Sequence, residues 1–377
     1  MFTAEDERFM RLASEIAEEG RGFTGTNPLV GAVIVKNGEI IGKGAHLRYG
    51  EAHAERNALA NCKESAEGAS MYVTLEPCCH YGKTPPCTEA IIENKISRVV
   101  IALKDPNPKV AGGGIKILED AGISVEVGLL AEECKVQNQV FLHYIKTGTP
   151  FVTMKYAMTM DGKIATYSGL SKWITGEEAR KKVHLDRFES AAIMVGIGTV
   201  LTDDPMLTAR VSDGNKAGGN KSNDRDIKTP IRVIADSKLR IPLDCQIMKT
   251  AYKVPTIIAC CTPCEDKISA IESLGAKVIM VKEKDGHLDL NDLMITLGKL
   301  KINSLILEGG GNLNFSALSA GIVNKVQCYI APKLFGGKDA KTPVEGKGVT
   351  KPEEAFKLKT IGITKLGKDY LIESVVI

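Results

Sequence analysis

Nowhere do the 377 residues run to about 18 uninterrupted apolar positions, so no membrane-spanning helix and no membrane partner are expected. The opening Met1-Phe2-Thr3-Ala4-Glu5-Asp6-Glu7 is acidic where a secretory leader is basic and then apolar, and a cytoplasmic protein is expected. No internal repeat is present, and no Gly-x-Gly-x-x-Gly follows a strand, so a Rossmann dinucleotide domain lacks its fingerprint. Charge of one sign is lacking too: 49 Lys and Arg stand against 46 Asp and Glu, for a net +3. With 44% hydrophobic and 25% charged residues the composition is that of a globular protein, which excludes disordered, collagenous and coiled-coil classes. Cysteine, by contrast, is plentiful at ten. In a reducing compartment these do not form a disulfide framework, and the clustered ones read as metal ligands or catalytic thiols.

At roughly 150 residues per domain the length calls for two or three domains. A helical pattern ends at Lys146-Thr147-Gly148-Thr149-Pro150, the Gly-then-Pro stop signal, and the β-rich run Phe151-Val152-Thr153-Met154-Lys155 begins. The expected domains are therefore 1–147 and 148–377. Up to Pro150 there are 16 Lys and Arg against 20 Asp and Glu, leaving 33 against 26 for the remainder. The acidic first part argues against a polynucleotide partner, and the basic second part suits a small phosphorylated ligand. The polar, Gly- and Asn-rich stretch 212–228 reads as an exposed, mobile loop.

Helical spacing over 4–19 places Phe9, Leu12, Ala13 and Ile16 on one stripe. Apolar runs at 31–35 and 40–44 flank Asn37-Gly38, a hairpin signal. A helix at 53–60, a strand at 71–75, a helix at 88–94 and a strand at 98–103 follow, giving an α/β layered first domain. The second domain alternates as well. Strands are expected near 151–157, 191–196, 231–235, 255–260, 277–281 and 304–308, with helices near 177–189, 265–274, 289–300 and 312–320. It closes with strands near 326–331 and 370–376, so an α/β fold with some antiparallel edge is expected.

The segments 44–60 and 75–87 hold three of the six histidines and three of the ten cysteines. Thiolate and imidazole are the ligands zinc prefers, and a catalytic zinc keeps three of them and leaves a fourth position for water. His53, Cys78 and Cys87 supply that set, each near an expected helix start, where the partial positive charge favours the thiolate. Glu55, two residues beyond His53, is placed to take a proton from the water and deliver it to a leaving amine. His-x-Glu followed by Pro-Cys and a later Cys is the pattern of zinc-dependent base deaminases, although eight residues separate these cysteines where two are usual. The wider loop could admit other substrate groups. The plainer reading is a structural zinc, with Cys79 or His80 as an awkwardly adjacent fourth ligand.

The motifs Thr26-Asn27-Pro28-Leu29-Val30-Gly31, Gly44-Ala45-His46, His53-Ala54-Glu55, Glu76-Pro77-Cys78 through Pro86-Cys87, and Asp105-Pro106-Asn107-Pro108 together resemble the deaminase half of the RibD family. That family comprises bifunctional diaminohydroxyphosphoribosylaminopyrimidine deaminases and reductases of riboflavin biosynthesis. The resemblance implies a cytidine-deaminase-like three-layer αβα domain in which His53, Cys78 and Cys87 bind zinc and Glu55 shuttles protons. It further implies that Asn27, His46, His80, Lys83, Asp105 and Asn107 surround the pyrimidine and its phosphoribosyl arm, with His80 and Lys83 suited to the phosphate.

In the second half, Leu305-Ile306-Leu307-Glu308-Gly309-Gly310-Gly311 reads as a buried strand running into glycines and a helix, where backbone N–H groups can meet a phosphate. A plain tight turn is the competing reading. The segments 158–165, 171–175, 198–205, 236–237, 308–311 and 331–337 resemble the reductase domain of the same family, whose fold is similar to dihydrofolate reductase. By this resemblance NADPH contacts Ala157, Trp173, Thr199, Asp203, Ser237 and the turn made by Gly310, Gly311, Asn312, Leu313, Asn314, Phe315 and Ser316. The ribose phosphate meets Ser171, Arg187, Leu207 and Arg210, two arginines clamping it through paired hydrogen bonds, with Glu308 at the sugar. Lys155 and Glu308 are candidates for proton delivery to the opened ribose carbonyl. A solvated Lys155 and a core-packed Trp173 are the plainer readings. Cys260-Cys261-Thr262-Pro263-Cys264 contains Cys-x-x-Cys without nearby ligand partners and reads as strand-end thiols. The implied partners are a phosphoribosyl pyrimidine and further copies of the chain as a homo-oligomer. Two rivals remain at this stage: a nucleoside or nucleic-acid zinc deaminase fused to an unrelated nucleotide-binding domain, and a non-catalytic zinc-stabilised interaction protein.

Overall fold

The computed structural model describes residues 2–82, 84–107, 112–210 and 228–377. Lys83, Pro108 and, apart from Lys228, the 212–228 stretch lie outside the described residues. The chain forms two compact units, and the backbone passes from one to the other between Gly148 and Thr149.

In the first unit α1 (Ala4–Ala17) precedes the hairpin β1 (Gly31–Lys36) and β2 (Glu39–Ala45). There follow α2 (Ala54–Ala60), β3 (Ser70–Leu75), α3 (Cys87–Glu93), β4 (Arg98–Leu103), α4 (Gly113–Asp120), β5 (Ser124–Val127), α5 (Ala131–Gln137) and α6 (Gln139–Thr147). Asn37 and Gly38 turn the hairpin at φ of 52° and 81°, the doubly left-handed turn that matches strand twist. The sheet runs β2-β1-β3-β4-β5, with β1 antiparallel to both neighbours and β3, β4 and β5 parallel. Successive residues Val99, Val100 and Ile101 are all wholly buried, because helices cover both faces of the sheet. α1 lies against β1 and β3, and α2 lies against β2 and packs on α3, which in turn meets α4. Two glycines allow this closeness: a Cβ on Gly31 would sit 1.9 Å from the Ala13 carbonyl oxygen, and one on Gly44 would sit 2.4 Å from the Ala58 nitrogen.

One buried carboxylate ties the layers together. Asp6 closes a capping box with Thr3 at the start of α1 and accepts from Arg98 Nη1 at 2.6 Å and the Tyr72 hydroxyl at 2.7 Å. The Arg98 guanidinium holds the Asp6 carboxyl well below the usual carboxylate range.

The second unit comprises β6 (Phe151–Thr159), α7 (Glu177–Glu189), β7 (Ala192–Gly196), α8 (Ile197–Asp203), β8 (Ile231–Ala235), α9 (Gln246–Lys249) and β9 (Thr256–Cys260). It continues with α10 (Glu265–Ser273), β10 (Lys277–Met280), a ribbon of β11 (Glu283–Lys284) and β12 (His287–Leu288), and α11 (Leu290–Lys299). β13 (Ser304–Leu307), α12 (Gly311–Ser319), β14 (Val323–Ala331), β15 (Leu358–Leu366) and β16 (Asp369–Val376) complete it. The sheet order is β10-β9-β8-β7-β13-β6-β14-β16-β15. It is parallel from β10 to β14 and antiparallel beyond, so the antiparallel edge expected from the sequence is present. The carboxyl ends of β6, β7, β8 and β13 therefore share one edge, where open α/β sheets bind ligands. Arg232 of β8 is wholly buried, and its guanidinium donates to Thr256, Thr250, Met206, Ile247 and Val254 oxygens, binding the segment after α8 to the sheet.

Every strand and helix expected from the sequence is present, with ends shifted by at most three residues. α4, β5, α5, α8, α9, β11, β12 and β15 have no counterpart in the sequence pattern. α4 begins at Gly113-Gly114, where propensity gives no helix signal, and β15 is an edge strand so exposed that it carries no alternating burial. No helix among the described residues is long and apolar enough to cross a membrane.

Candidate active site

In the first unit three strand and helix ends converge. His53 is the N-cap of α2, Cys78 follows β3 and Pro77, and Cys87 opens α3 after Pro85-Pro86. His53 Nδ1 lies 3.4 Å from each of the Cys78 and Cys87 sulfurs, and the three ligand atoms lie within 4.8 Å of one another. Tetrahedral zinc would set such nitrogen–sulfur separations at about 3.6 Å. The trio thus fits the metal without rearrangement, and among the described residues no other group of histidines, cysteines and carboxylates does. Cys79 does not join it; its sulfur lies near Gly113, where an added Cβ would be 3.1 Å away. The hydrogen bond from Cys87, reinforced by His53, pulls the Cys78 thiol down to about 4, and Cys87 is pushed up as the donor of that pair.

Beside this trio is a cavity of about 240 Å³ lined by Asn27, His46, Glu55, His80, Asp105 and Asn107 among others. All the described pyrimidine-site residues expected from the sequence are in its wall; Lys83 is outside the described residues. Glu55, on the first turn of α2, is 3% exposed, and burial pushes its carboxyl up to about 7, the thiolate of Cys78 adding to the shift. Buried His46 sits between two partners, with Nδ1 3.1 Å from the Ala52 carbonyl oxygen and Nε2 3.1 Å from the Asn27 side-chain nitrogen. A carbonyl only accepts, so Nδ1 carries the proton and Nε2 accepts from Asn27. Burial lowers the His46 pKa, consistent with that neutral ring. That bond fixes which way the Asn27 carboxamide faces. Glu76 also lines the cavity, with its carboxylate on four backbone N–H groups. The sequence motif includes Glu76 but gives it no role; a carboxylate directly at a strand end is the available signal.

In the second unit the carboxyl end of β13 presents Glu308, gripped by Arg187 of α7 through Nε at 2.6 Å and Nη2 at 2.8 Å, with Lys155 Nζ of β6 at 3.5 Å. Burial alone would push the Glu308 carboxyl up, but the charges of Arg187 and Lys155 overcome it and hold it at about 2. Glu308 is thus ionised and has no proton to give. Lys155 is not a solvated strand-end residue: its side chain is 13% exposed and its ammonium lies 5.8 Å from the Tyr329 ring centre. The paired-arginine clamp is divided, since Arg187 holds Glu308 and the Thr208 carbonyl oxygen while exposed Arg210 lies 3.4 Å from His184 Nε2. His184, one turn before Arg187 on α7, was missed; an i, i+3 spacing on an expected helix was its signal. Burial and the two arginines pull it down to about 4. The Leu207 side chain is buried in the core at a φ of 51°, so only its backbone is available to a phosphate. Ser171 is partly buried in the loop before α7.

The expected cofactor residues border the same sheet edge. Thr199 of α8 donates to the Gly309 carbonyl oxygen at 3.4 Å, and a Cβ on Gly310 would lie 3.6 Å from its hydroxyl oxygen. Ser237 follows β8, its carbonyl oxygen accepting from the Cys261 and Thr262 N–H groups. Cys260 is buried at the end of β9 and Cys261 follows it directly, so these two are strand-end thiols, whereas exposed Cys264 is the N-cap of α10. Ala157 pairs with Tyr329 in the sheet, and Asp203 is exposed at the end of α8. Trp173 is 62% exposed with Arg180 stacked 4.7 Å from its ring centre, so it is not a core residue. Along α12, Gly310 and Gly311 offer backbone, and Asn312 and Ser316 bond to each other, while Leu313 packs near Gly196. Asn314 is tied to the Pro343 carbonyl oxygen and Phe315 meets Phe356 edge to face, so those side chains are committed within the protein. A glycine turn leading into the N-terminus of α12, where backbone N–H groups can donate to phosphate oxygens, fits a pyrophosphate cofactor.

Comparisons with known proteins agree on both units. The model of the RibD C-terminal domain matches residues 150–372, and that of the cytidine and deoxycytidylate deaminase zinc-binding region matches residues 3–103. The chain is 51% identical to riboflavin biosynthesis protein RibD of Actinobacillus pleuropneumoniae, over 100% of this chain and 96% of that one. It is 41% identical to its counterpart in Escherichia coli, over 98% and 99%. Among solved structures, Acinetobacter baumannii RibD has a TM-score of 0.88 at 35% identity, covering 99% of each chain. A diaminohydroxyphosphoribosylaminopyrimidine deaminase and 5-amino-6-(5-phosphoribosylamino)uracil reductase from Thermotoga maritima has 0.84 at 33%, again with 99% of each covered. With a His-Cys-Cys trio fit for zinc beside a buried glutamate in one unit, a Lys155–Glu308–Arg187 cluster at the sheet edge of the other, and full-length likeness, the chain belongs to the RibD family of bifunctional deaminases and reductases in riboflavin biosynthesis.

Proposed function

We propose that residues 1–147 deaminate 2,5-diamino-6-(5-phosphoribosylamino)pyrimidin-4(3H)-one and that residues 148–377 reduce the ribosyl group of the resulting uracil to ribityl. The observation that carries the first assignment is the buried Glu55 on the helix turn that begins at the ligand His53. Zinc held by His53, Cys78 and Cys87 supplies Lewis-acid activation of the attacking water. Glu55, near 7, takes a proton from that water and passes one to the departing amine, as the C–N bond breaks and ammonia leaves. Asn27, set by His46, holds the pyrimidine edge, while Asp105 and Asn107 wall the cavity and His80 and Lys83 receive the phosphate.

In the second unit NADPH, held by Ala157, Trp173, Thr199, Asp203, Ser237 and the turn from Gly310 to Ser316, supplies the hydride. Conversion of ribosyl to ribityl breaks the C1–O ring bond, adds hydride at C1 and needs a proton at the released oxygen. Lys155 delivers that proton; Glu308 and Arg187 fix its ammonium. Ser171, Arg210 and the backbone at Leu207 hold the phosphate. A cytoplasmic location is in keeping with Cys78 and Cys87 serving as thiolate ligands, and the exposed Ile361 and Ile363 on edge strand β15 favour a homo-oligomer. Glu55→Gln tests the core of the reading: deamination is expected to fall by about 10²-fold or more while zinc content and NADPH oxidation on the ribosyl uracil stay normal. Undiminished deamination would overturn it.

A further inference from the structure

We infer that Glu76 is a positioning residue of the deaminase site, fastening the segment that carries Asp105 and Asn107 to the strand end that presents Cys78. The inference rests on the proposed contact of Asp105 and Asn107 with substrate. Glu76 directly follows β3 and extends the sheet by donating its N–H to the Leu103 carbonyl oxygen at 2.8 Å. Its side chain turns inward and the residue is only 4% exposed. Oε2 accepts from the N–H groups of Asp105 at 3.2 Å and Gly112 at 3.1 Å, and Oε1 from those of Gly114 at 3.1 Å and Ile115 at 3.3 Å. Among the described residues no cation pairs with this carboxylate, so backbone dipoles alone offset its charge, three of them at the start of α4.

An independent contact shows how tightly the two segments are joined. A Cβ on Gly114 would lie 2.2 Å from the Pro77 carbonyl oxygen and 3.3 Å from Glu76 Oε1. The start of α4 therefore rests directly on the peptide leading to Cys78. Asp105 passes the constraint on, since its Oδ1 accepts from the Asn107 N–H at 2.8 Å. One carboxylate thus spaces the metal ligand from the wall of the substrate cavity.

Glutamine at 76 keeps the shape but turns an NH₂ toward two of the four donors. For the zinc-loaded full chain carrying Glu76→Gln, the KM for deamination is expected to rise about tenfold or more. The turnover number, zinc content and reductase activity are expected to hold. Gly114→Ala, which lifts α4 off Pro77 and draws the Gly114 and Ile115 N–H groups away from an unchanged Glu76 residue, is expected to raise KM likewise. Formate is expected to lower the raised KM of Glu76→Ala by refilling the four-donor pocket. An unchanged KM in zinc-replete Glu76→Gln and Gly114→Ala, or a fall confined to zinc content and melting temperature, would overturn the inference. Asp105→Asn and Asn107→Ala separate the layers: unchanged KM there refutes the substrate contacts themselves. A rise there without one in the Glu76 variant refutes only the positioning role.

Discussion

Two buried glutamates meet opposite fates because of what lies beside them. Glu55 rises to about 7 through burial, with a thiolate near it adding to the shift; Glu308 has Arg187 and Lys155 to overcome burial and is held at about 2. Asp6 is a third case, with a purely structural outcome. Its carboxyl is depressed by Arg98, so its contribution is complete above the unfolded aspartate pKa of about 4 and drains away as pH falls toward the folded value. Asp6→Asn is expected to lose about 2 kcal/mol of stability at pH 7. The gap from the parent should narrow as the medium is acidified below pH of about 4. Urea unfolding at the two pH values measures both, and a gap that stays constant would refute the account.

At the level of elements, the helices that carry chemistry are seated by glycine. α2 brings His53 and Glu55 to the cavity only because Gly44 lets its backbone touch β2. Gly44→Ala is expected to cost about 1–3 kcal/mol from overpacking and to depress deamination more than reduction. Melting curves with parallel assays of both activities check this; equal loss of both would count against it. The zinc trio and Glu55 are legible because His-x-Glu and the Pro-Cys and later Cys cluster at short spacing, and strands such as β4 and β13 because runs like Val99-Val100-Ile101 admit little else. Tertiary pairings were not legible. Nothing in the spacing of Arg187 and Glu308, 121 positions apart, announces that they bind each other and not a phosphate. Glu76 was hidden for the same reason, since its partners are backbone amides that no side-chain pattern records. β15 escaped because its exposed residues leave no buried face to set a period.

For the whole molecule, the two activities have separate material needs. Removing zinc with a chelator is expected to abolish deamination, expose Cys78 and Cys87 to thiol reagents, and leave NADPH-dependent reduction in place. Activity assays and thiol titration before and after chelation report this; reduction lost in step with deamination would contradict it. Gly148, at a φ of 70°, ends α6 with a left-handed cap, and the chain goes on through Thr149 and Pro150 directly into β6. Continuity across that turn has a consequence for dosage. Each round of translation yields one deaminase and one reductase, so whatever the level of expression, the site that makes the uracil intermediate never outnumbers the site that consumes it.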